Sequence, residues 1–407
     1  MRVSAVLRAV TSTLPWLPTL PAAKLQRIAR ATGIQSSGTK AALVSRIEGA
    51  LHHGSHHADT NADAHRRPDV RADRDVTARP LSILSIDMGI RNLAFAHLRT
   101  APSAGGGGHT DSRGGVLCAP ELTAWHRLAV SEIAGLKLEA GPGAVSGVQG
   151  PPAVDGVDGD VVGSGGRDSG RNNESFSPEV YAASAYTLVS TLLAVYQPTH
   201  VLIERQRFRS GGGSAVQEWT LRVGVLEGML YAVLHALRQE RGGEVAKVDV
   251  QGIEPRRVMR YWMDGDGVTS TVEPGLGQGA NEKTEKKTRL GPREVKKAKI
   301  DLVGRWVSAS LDKDSTGERA SNVDGVPKFA LAEKSPAVRT LAQAYLQKWQ
   351  EQSSKTRRRS SSIAGVSDIG KLDDLADCLL QGVAWLEWQV MRQQLRREGV
   401  RALEWMS

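Results

Sequence analysis

The residues able to do chemistry in this chain are acids placed where apolar runs stop. Leu81-Ser-Ile-Leu-Ser-Ile-Asp-Met-Gly-Ile90 is an apolar run ending on Asp87, and a second run begins after a tight turn at Met88–Arg91. Ile83, Leu84 and Ile86 suit a strand buried on both faces. A carboxylate at the end of such a strand is costly unless something compensates it. A divalent metal ion is one compensation; an Asp that merely caps the turn is the other reading. His200-Val-Leu-Ile-Glu204 repeats the pattern with Glu204. Lys371-Leu-Asp-Asp-Leu-Ala-Asp377 opens an amphipathic helix with Asp373, Asp374 and Asp377 on one arc, because residues three or four apart on a helix are neighbours. Strand-end and helix-borne acids brought together form a carboxylate cluster able to hold divalent metal through oxygen ligands.

The surrounding composition favours an anionic partner. The 407 residues carry a formal net charge of +9, and 40% are hydrophobic, enough for a sizeable core. No run of about 18 apolar residues is present, so no membrane span is expected. Cys118 and Cys378 lie far apart in sequence, form neither a disulfide framework nor a zinc spacing, and fit a reducing compartment.

The elements that must position the acids follow from periodicity. Glu121–Val130 reads as a third strand, Pro178–Tyr196 as a helix, His200–Glu204 and Val245–Val250 as strands, and Pro255–Met263 as a short helix. A helix over Ser214–Arg238 has apolar residues alternating three and four apart (Val216, Trp219, Val223, Leu226, Leu230, Val233, Leu237), with Gly224 and Gly228 permitting close approach. That stripe reads as core packing or, more sharply, as a dimer contact. Helices are also expected from Arg293 to about Ser310, over Ala337–Gln352, and from Leu372 to about Arg397. Disordered insertions are expected near 101–115, 140–175, 264–292 and 311–335.

Basic residues cluster beside the acids. Arg205, Arg207 and Arg209 follow Glu204 and, with the glycines after them, suit a loop that grips phosphates. Phe208 between them suits either base stacking or core packing. Lys371 precedes the helix acids, where it either stabilises transition-state charge or is a surface lysine. Residues 355–362 read as a basic, serine-rich loop. Residues 1–14 carry arginine and no acid, with Val3, Leu7, Val10 and Leu14 at helical spacing, and read as a mitochondrial presequence or an ordinary first helix. Two helices over 15–51 present Lys24, Arg27 and Lys40, with no acid before Glu48, and read as a DNA-binding hairpin or as one that docks on the main domain. Residues 52–80 read as a linker whose histidines are not ligands.

Three blocks in order, "SIDMGIRNLAFAHL", "VLIERQRFRSGGG" and "KLDDLADCLLQGVAWLEW", resemble the fungal mitochondrial Holliday-junction resolvases, RuvC-like nucleases of the ribonuclease H-like superfold. The hairpin at 15–51 resembles the SAP DNA-binding module found at the N-terminus of relatives. The resemblance implies an α/β fold: a mixed five-stranded sheet flanked by helices, covering residues 81–400 and preceded by the SAP-like hairpin. Asp87 and Glu204 would lie on adjacent central strands, with the Asp373/Asp374/Asp377 helix across their ends. It also implies two Mg²⁺ ions, with Mn²⁺ substituting, held by Asp87, Glu204, Asp373, Asp374 and Asp377. One ion would activate water and the other would stabilise the leaving 3′ oxygen. The family pattern points to Asp373 and Asp377 as the essential helix acids, with Asp374 serving the helix N-terminus. Lys296, Lys297 and Lys299 look like the basic cluster this family carries before its last helices. The implied substrate is four-way junction DNA, cut by paired nicks by a homodimer in the mitochondrial matrix, with no membrane and no small-molecule substrate involved.

Two other classes compete. "IDMGIRN" also resembles the first phosphate loop of actin-like ATP-binding proteins, but the only second glycine hairpin, Asp264–Gly267, falls in an insertion. A non-catalytic DNA-binding scaffold would not be expected to retain every acid.

Overall fold

A computed structural model describes residues 14–52, 80–101, 119–135, 177–206, 218–263, 291–316, 328–353 and 369–406. The presequence reading, the linker, Arg207, Phe208, Arg209, Cys118, the basic loop at 355–362 and most of the expected insertions lie outside those residues.

The core is one mixed sheet. Its strands are β1 (Ser82–Asp87), β2 (Leu93–Arg99), β3 (Glu121–Leu128), β4 (His200–Glu204), β5 (Asp249–Ile253) and β6 (Ala330–Leu331), in the order β5-β4-β1-β2-β3-β6. β1, β2 and β3 form an antiparallel meander, while β4 runs parallel to β1 and β5 parallel to β4. The expected five strands become six because Ala330–Leu331 pairs in parallel with Glu121–Leu122, inside a stretch expected to be irregular. That stretch is also shortened from its other end, since the helix entering it runs on to Thr316. β5 starts at Asp249 rather than at Val245, because residues 243–246 close into a single helical turn.

The helices are α1 (Ala22–Ala31), α2 (Lys40–His52), α3 (Pro178–Tyr196), α4 (Glu218–Arg241), the one-turn α5 (Gly243–Ala246), α6 (Pro255–Met263), α7 (Pro292–Thr316), α8 (Pro336–Ser353) and α9 (Leu372–Glu398). Alternation along β1 decides which helices meet which face. Ile83 belongs to the core formed with α6, α7, α8 and α9, whereas Leu84 and Ile86 belong to the core formed with α3 and α4. Both faces are covered, which is why β1 and β4 read as nearly continuous apolar runs.

α9 lies against the sheet at close range. A Cβ on Gly382 would stand 2.8 Å from Leu98 Cδ1 and 3.2 Å from the Ser85 Cβ, so only glycine fits without displacement. The helix is also tied down by polar contacts. Ser85 Oγ donates to the Cys378 carbonyl at 2.7 Å, Trp125 Nε1 to the Leu375 carbonyl at 3.0 Å, and Trp262 Nε1 to the Leu380 carbonyl at 3.1 Å. Buried Gln381 donates from Nε2 to Ser85 Oγ at 3.0 Å and to the Ile86 carbonyl at 3.3 Å. Each bond satisfies a group that would otherwise cost about 1–3 kcal/mol when buried.

α4 is long and apolar enough to cross a bilayer by length and composition alone. In the fold it lays Val223, Leu226, Leu230, Leu234 and Leu237 into the core shared with α3. The stripe read as a candidate dimer seam is therefore largely used within the chain, and the exposed large apolar residues of α4 are Trp219, Leu221 and Val225.

The N-terminal pair forms a third core with the C-terminal end of the chain, in which Leu25, Ile28, Leu43 and Ile47 pack with Leu395 of α9 and Ala402 just beyond it. Thr39 Oγ1 accepts the Ala42 N–H at 3.3 Å and caps α2. Arg392 Nε donates to the Thr32 carbonyl at 2.9 Å and Arg396 Nη2 to the Ala50 carbonyl at 3.3 Å. Gly33 has φ +68°, and a Cβ there would collide with the Trp388 ring.

Candidate metal and nucleic-acid site

The sheet brings the two strand-end acids side by side. Ile86 of β1 is in register with Ile203 of β4, so Asp87 and Glu204 stand next to each other at the C-terminal ends of parallel neighbours. Their carboxyl groups share a hydrogen bond. Burial, then Glu204, then the charges of Asp377 and Asp374 hold the Asp87 carboxyl well above the usual carboxylate range. Glu204 Oε2 also accepts the Gln206 side-chain amide at 3.2 Å and lies 3.5 Å from the Met88 backbone nitrogen.

The first two turns of α9 bring the remaining acids, and each of them faces a base. Lys299 of α7 forks onto Asp377, with Nζ 2.7 Å from both Oδ1 and Oδ2. Lys296, one helical turn earlier, is 2.7 Å from Asp373 Oδ2. Arg127 of β3 is 3.3 Å from Asp374 Oδ2 and also donates to Asn92 Oδ1. Burial raises the Asp377 carboxyl to about 6, Lys299 opposes that rise, and Glu204 and Asp373 add to it. Burial works against the Lys299 charge, but Asp377, Asp87 and Glu204 outweigh it and raise its pKa. Asp374 is raised by burial and by Asp373, against the pull of Arg127 and Lys371.

The two adjacent acids of α9 differ in their surroundings. Asp374 acts on Asp87 electrostatically and is held by Arg127. Asp373 acts on Asp377, and its Oδ1 is buried with no hydrogen-bond partner. An orphaned carboxylate oxygen beside a mutually repelling acid cluster fits a hard divalent cation in donor chemistry. Among the described residues, no three acids, histidines or cysteines already close on one point. The bases explain this, since Lys299, Lys296 and Arg127 hold the helix acids to themselves.

The basic residues expected to bind phosphate are spread around this centre. Arg205 is exposed just beyond Glu204, and its N–H donates to the Ile253 carbonyl at 2.9 Å. Lys297 is exposed on α7 and Lys371 is exposed at the start of α9. Lys24, Arg27 and Lys40 are exposed on the N-terminal hairpin. Sequence reading missed Glu227. This half-buried α4 residue accepts the Gln206 backbone N–H at 3.0 Å and fixes the chain leaving β4. Burial raises its pKa, the Gln206 hydrogen bond and Arg205 lower it, and Glu204 raises it further. It also missed Arg127, whose partners lie 35 and 247 positions away in the chain.

Residues 83–395, which span every acid of the centre, match the family described as mitochondrial resolvase Ydc2 / RNA splicing MRS1. The chain belongs to this family. One relative is the mitochondrial cruciform cutting endonuclease 1 of Schizosaccharomyces pombe, 37% identical over 92 residues. That match covers 22% of this chain and 34% of the relative, so the chain spans about a third of the length of the curated relative it matches. The crystal structure of the yeast mitochondrial Holliday junction resolvase Ydc2 is 19% identical, with 95% of this chain and 99% of that chain covered and a TM-score of 0.45. RuvC of Thermus thermophilus is 14% identical, with 44% of this chain and 68% of that chain covered and a TM-score of 0.24. RuvC from the same organism in complex with a Holliday junction substrate is 12% identical, with 45% and 70% covered and a TM-score of 0.24.

Proposed function

We propose that the chain is a structure-selective endodeoxyribonuclease that resolves four-way DNA junctions by paired nicks, acting as a homodimer in the mitochondrial matrix. The observation that carries this reading is that Asp87 and Glu204 end adjacent parallel strands with their carboxyl groups in contact, while Asp377 of α9 lies close enough for its charge to raise the Asp87 carboxyl. Family membership and the mitochondrial names of its relatives support the substrate and the compartment.

Asp87, Glu204, Asp373 and Asp377 would hold Mg²⁺, or Mn²⁺ in its place, with Asp374 kept at the helix N-terminus by Arg127. Bound there, divalent metal would supply an activated water and charge stabilisation at the leaving 3′ oxygen. The chain's own part is to set the geometry. β1 and β4 fix the two strand-end carboxylates, and the Ser85, Trp125 and Gln381 contacts fix the helix across them. Glu227 and Gln206 hold the segment after Glu204. Lys299, close to Asp377 and within the field of Asp87 and Glu204, offsets the charge of the cluster. Arg205, Lys296, Lys297 and Lys371 around the centre, with Lys24, Arg27 and Lys40 on the SAP-like hairpin, would contact backbone phosphates, as would Arg207 and Arg209 from outside the described residues. The exposed Trp219, Leu221 and Val225 offer α4 as a surface for a second copy.

The test is cleavage of a synthetic four-way junction beside a matched linear duplex, with Mg²⁺ and with EDTA. Metal-dependent paired nicking of the junction alone is expected. Tight junction binding with no cutting under any divalent metal would overturn the nuclease reading and leave a nucleic-acid-binding protein.

A further inference from the structure

A cleft of about 180 Å³ opens between the turn of the N-terminal hairpin and α6. The hairpin contributes Arg30, Ser36 and Ser37, and α6 contributes Arg256, Arg257 and Arg260, with Glu254 the only acid among the lining residues. Four guanidinium groups against one carboxylate leave a positive excess of three. The groups that would repel an anion are already engaged. Glu254 lies 3.4 Å from Arg257 Nε, and the Gly33 carbonyl accepts from Arg257 Nη1 at 3.3 Å. The Gln35 and Ser37 carbonyls accept from Arg46. Ser37 Oγ accepts the Gln35 amide at 3.0 Å, which leaves its hydroxyl proton to donate.

Planar guanidinium forks and hydroxyl donors are the chemistry of phosphate recognition. The position narrows the source. α6 follows directly on β5, and Ile253 at the end of β5 pairs with Glu204. The cleft therefore opens from the same sheet edge that carries the acid centre. We propose that it binds a backbone phosphate of the DNA substrate, so that the hairpin and α6 form one joint contact beyond the cutting site. The assignment rests on the junction-nuclease reading and adds a specific phosphate position to it.

The test uses the full chain carrying Asp87→Asn, in EDTA, with a fluorescent four-way junction and anisotropy as the readout. Arg256→Ala/Arg260→Ala is compared with Arg241→Ala/Lys247→Ala, which removes the same charge at the far edge, where α4 leads towards β5. Both α6 arginines are exposed, so folding is not at stake. The α6 pair should weaken binding about tenfold and flatten the salt dependence by about one unit of slope, as loss of one phosphate contact does. The far-edge pair should cost less than about twofold by the same reasoning. Arg256→Lys/Arg260→Lys should recover part of the affinity.

Equal losses in the two Ala pairs, or none in either, overturn the proposal. Thermal stabilisation by inorganic phosphate that the α6 pair abolishes, with junction binding unchanged, also overturns it and assigns the cleft to a free anion. A parent protein that binds junction and linear duplex alike overturns the junction reading but leaves the cleft standing. One that binds neither overturns both.

Discussion

Asp377 gives the protein a pH signature that can be measured without any substrate. Its carboxyl is raised from the ordinary 3.8 to about 6 by burial and by neighbouring acids. An acid raised in the folded state holds its proton more tightly there than in the unfolded chain. Its stabilising contribution is complete below about 3.8 and is lost as pH rises to about 6. At about 1.36 kcal/mol per pKa unit, the loss comes to about 3 kcal/mol. Asp377→Asn removes the titration while keeping the shape. Lys299 loses its partner in that variant, but it stays charged throughout this window, so the loss offsets the curve without tilting it. Urea unfolding of parent and variant in EDTA, from about pH 4 to about pH 7, should show the difference growing in the variant's favour by about 3 kcal/mol. Saturating Mg²⁺ should flatten the parent's curve, because the ion would then compensate the charge. Parallel curves across the window would refute the claim that burial among neighbouring acids raises the Asp377 carboxyl.

Three further outcomes are expected. Asp87→Asn and Glu204→Gln should each abolish nicking in a gel assay while mobility shifts still report junction binding; cutting by either variant would remove these residues from the metal set. In single-turnover cleavage at saturating protein, Asp373→Asn should be inactive. Asp374→Asn should still cut, losing mainly a helix-terminus stabilisation of about 0.3–1 kcal/mol. The reverse order would assign the metal to the acids three apart. Gly382→Val should lower the unfolding free energy by about 1–3 kcal/mol, since its Cβ has no room against Leu98 and Ser85. An unchanged thermal midpoint would show that α9 can move away from the sheet.

The elements were legible where a single period ran unbroken. β1 and β4 announce themselves because burial on both faces leaves short, nearly continuous apolar runs, and α3 because Tyr181, Ala185, Leu188 and Leu192 make one apolar stripe that Pro198 closes off. β6 was not legible. Two residues carry no period, and Ala330–Leu331 is a strand only because β3 offers an open edge beside Phe329, itself fully buried. The start of β5 was misplaced for a related reason. Val245, Val248 and Val250 alternate less regularly than a strand requires, and Gly242 and Gly243, both at positive φ, allow a helical turn first. The apolar stripe on α4 could not be divided between core and partner from sequence, since both uses need the same spacing.

Acid positions were legible at the candidate site; the charges that answer them were not. Asp87, Glu204 and the Asp373–Asp377 turn stand out as carboxylates at the ends of apolar elements. Arg127 does not stand out, because its tie to Asp374 crosses 247 positions and depends on β3 lying next to β2. Lys299 reads as one of several lysines on an exposed helix, and only the packing of α7 on α9 selects it over Lys297. The distinction has a physical consequence. Counted as fully ionised, five carboxylates meet three bases at this centre, a formal excess of two negative charges in a chain of net charge +9. A bare cluster of five would repel both itself and an approaching phosphate backbone. Pairing each acid of α9 with a base lets the fold keep the cluster buried, and it leaves at the centre the charge that one divalent cation would neutralise.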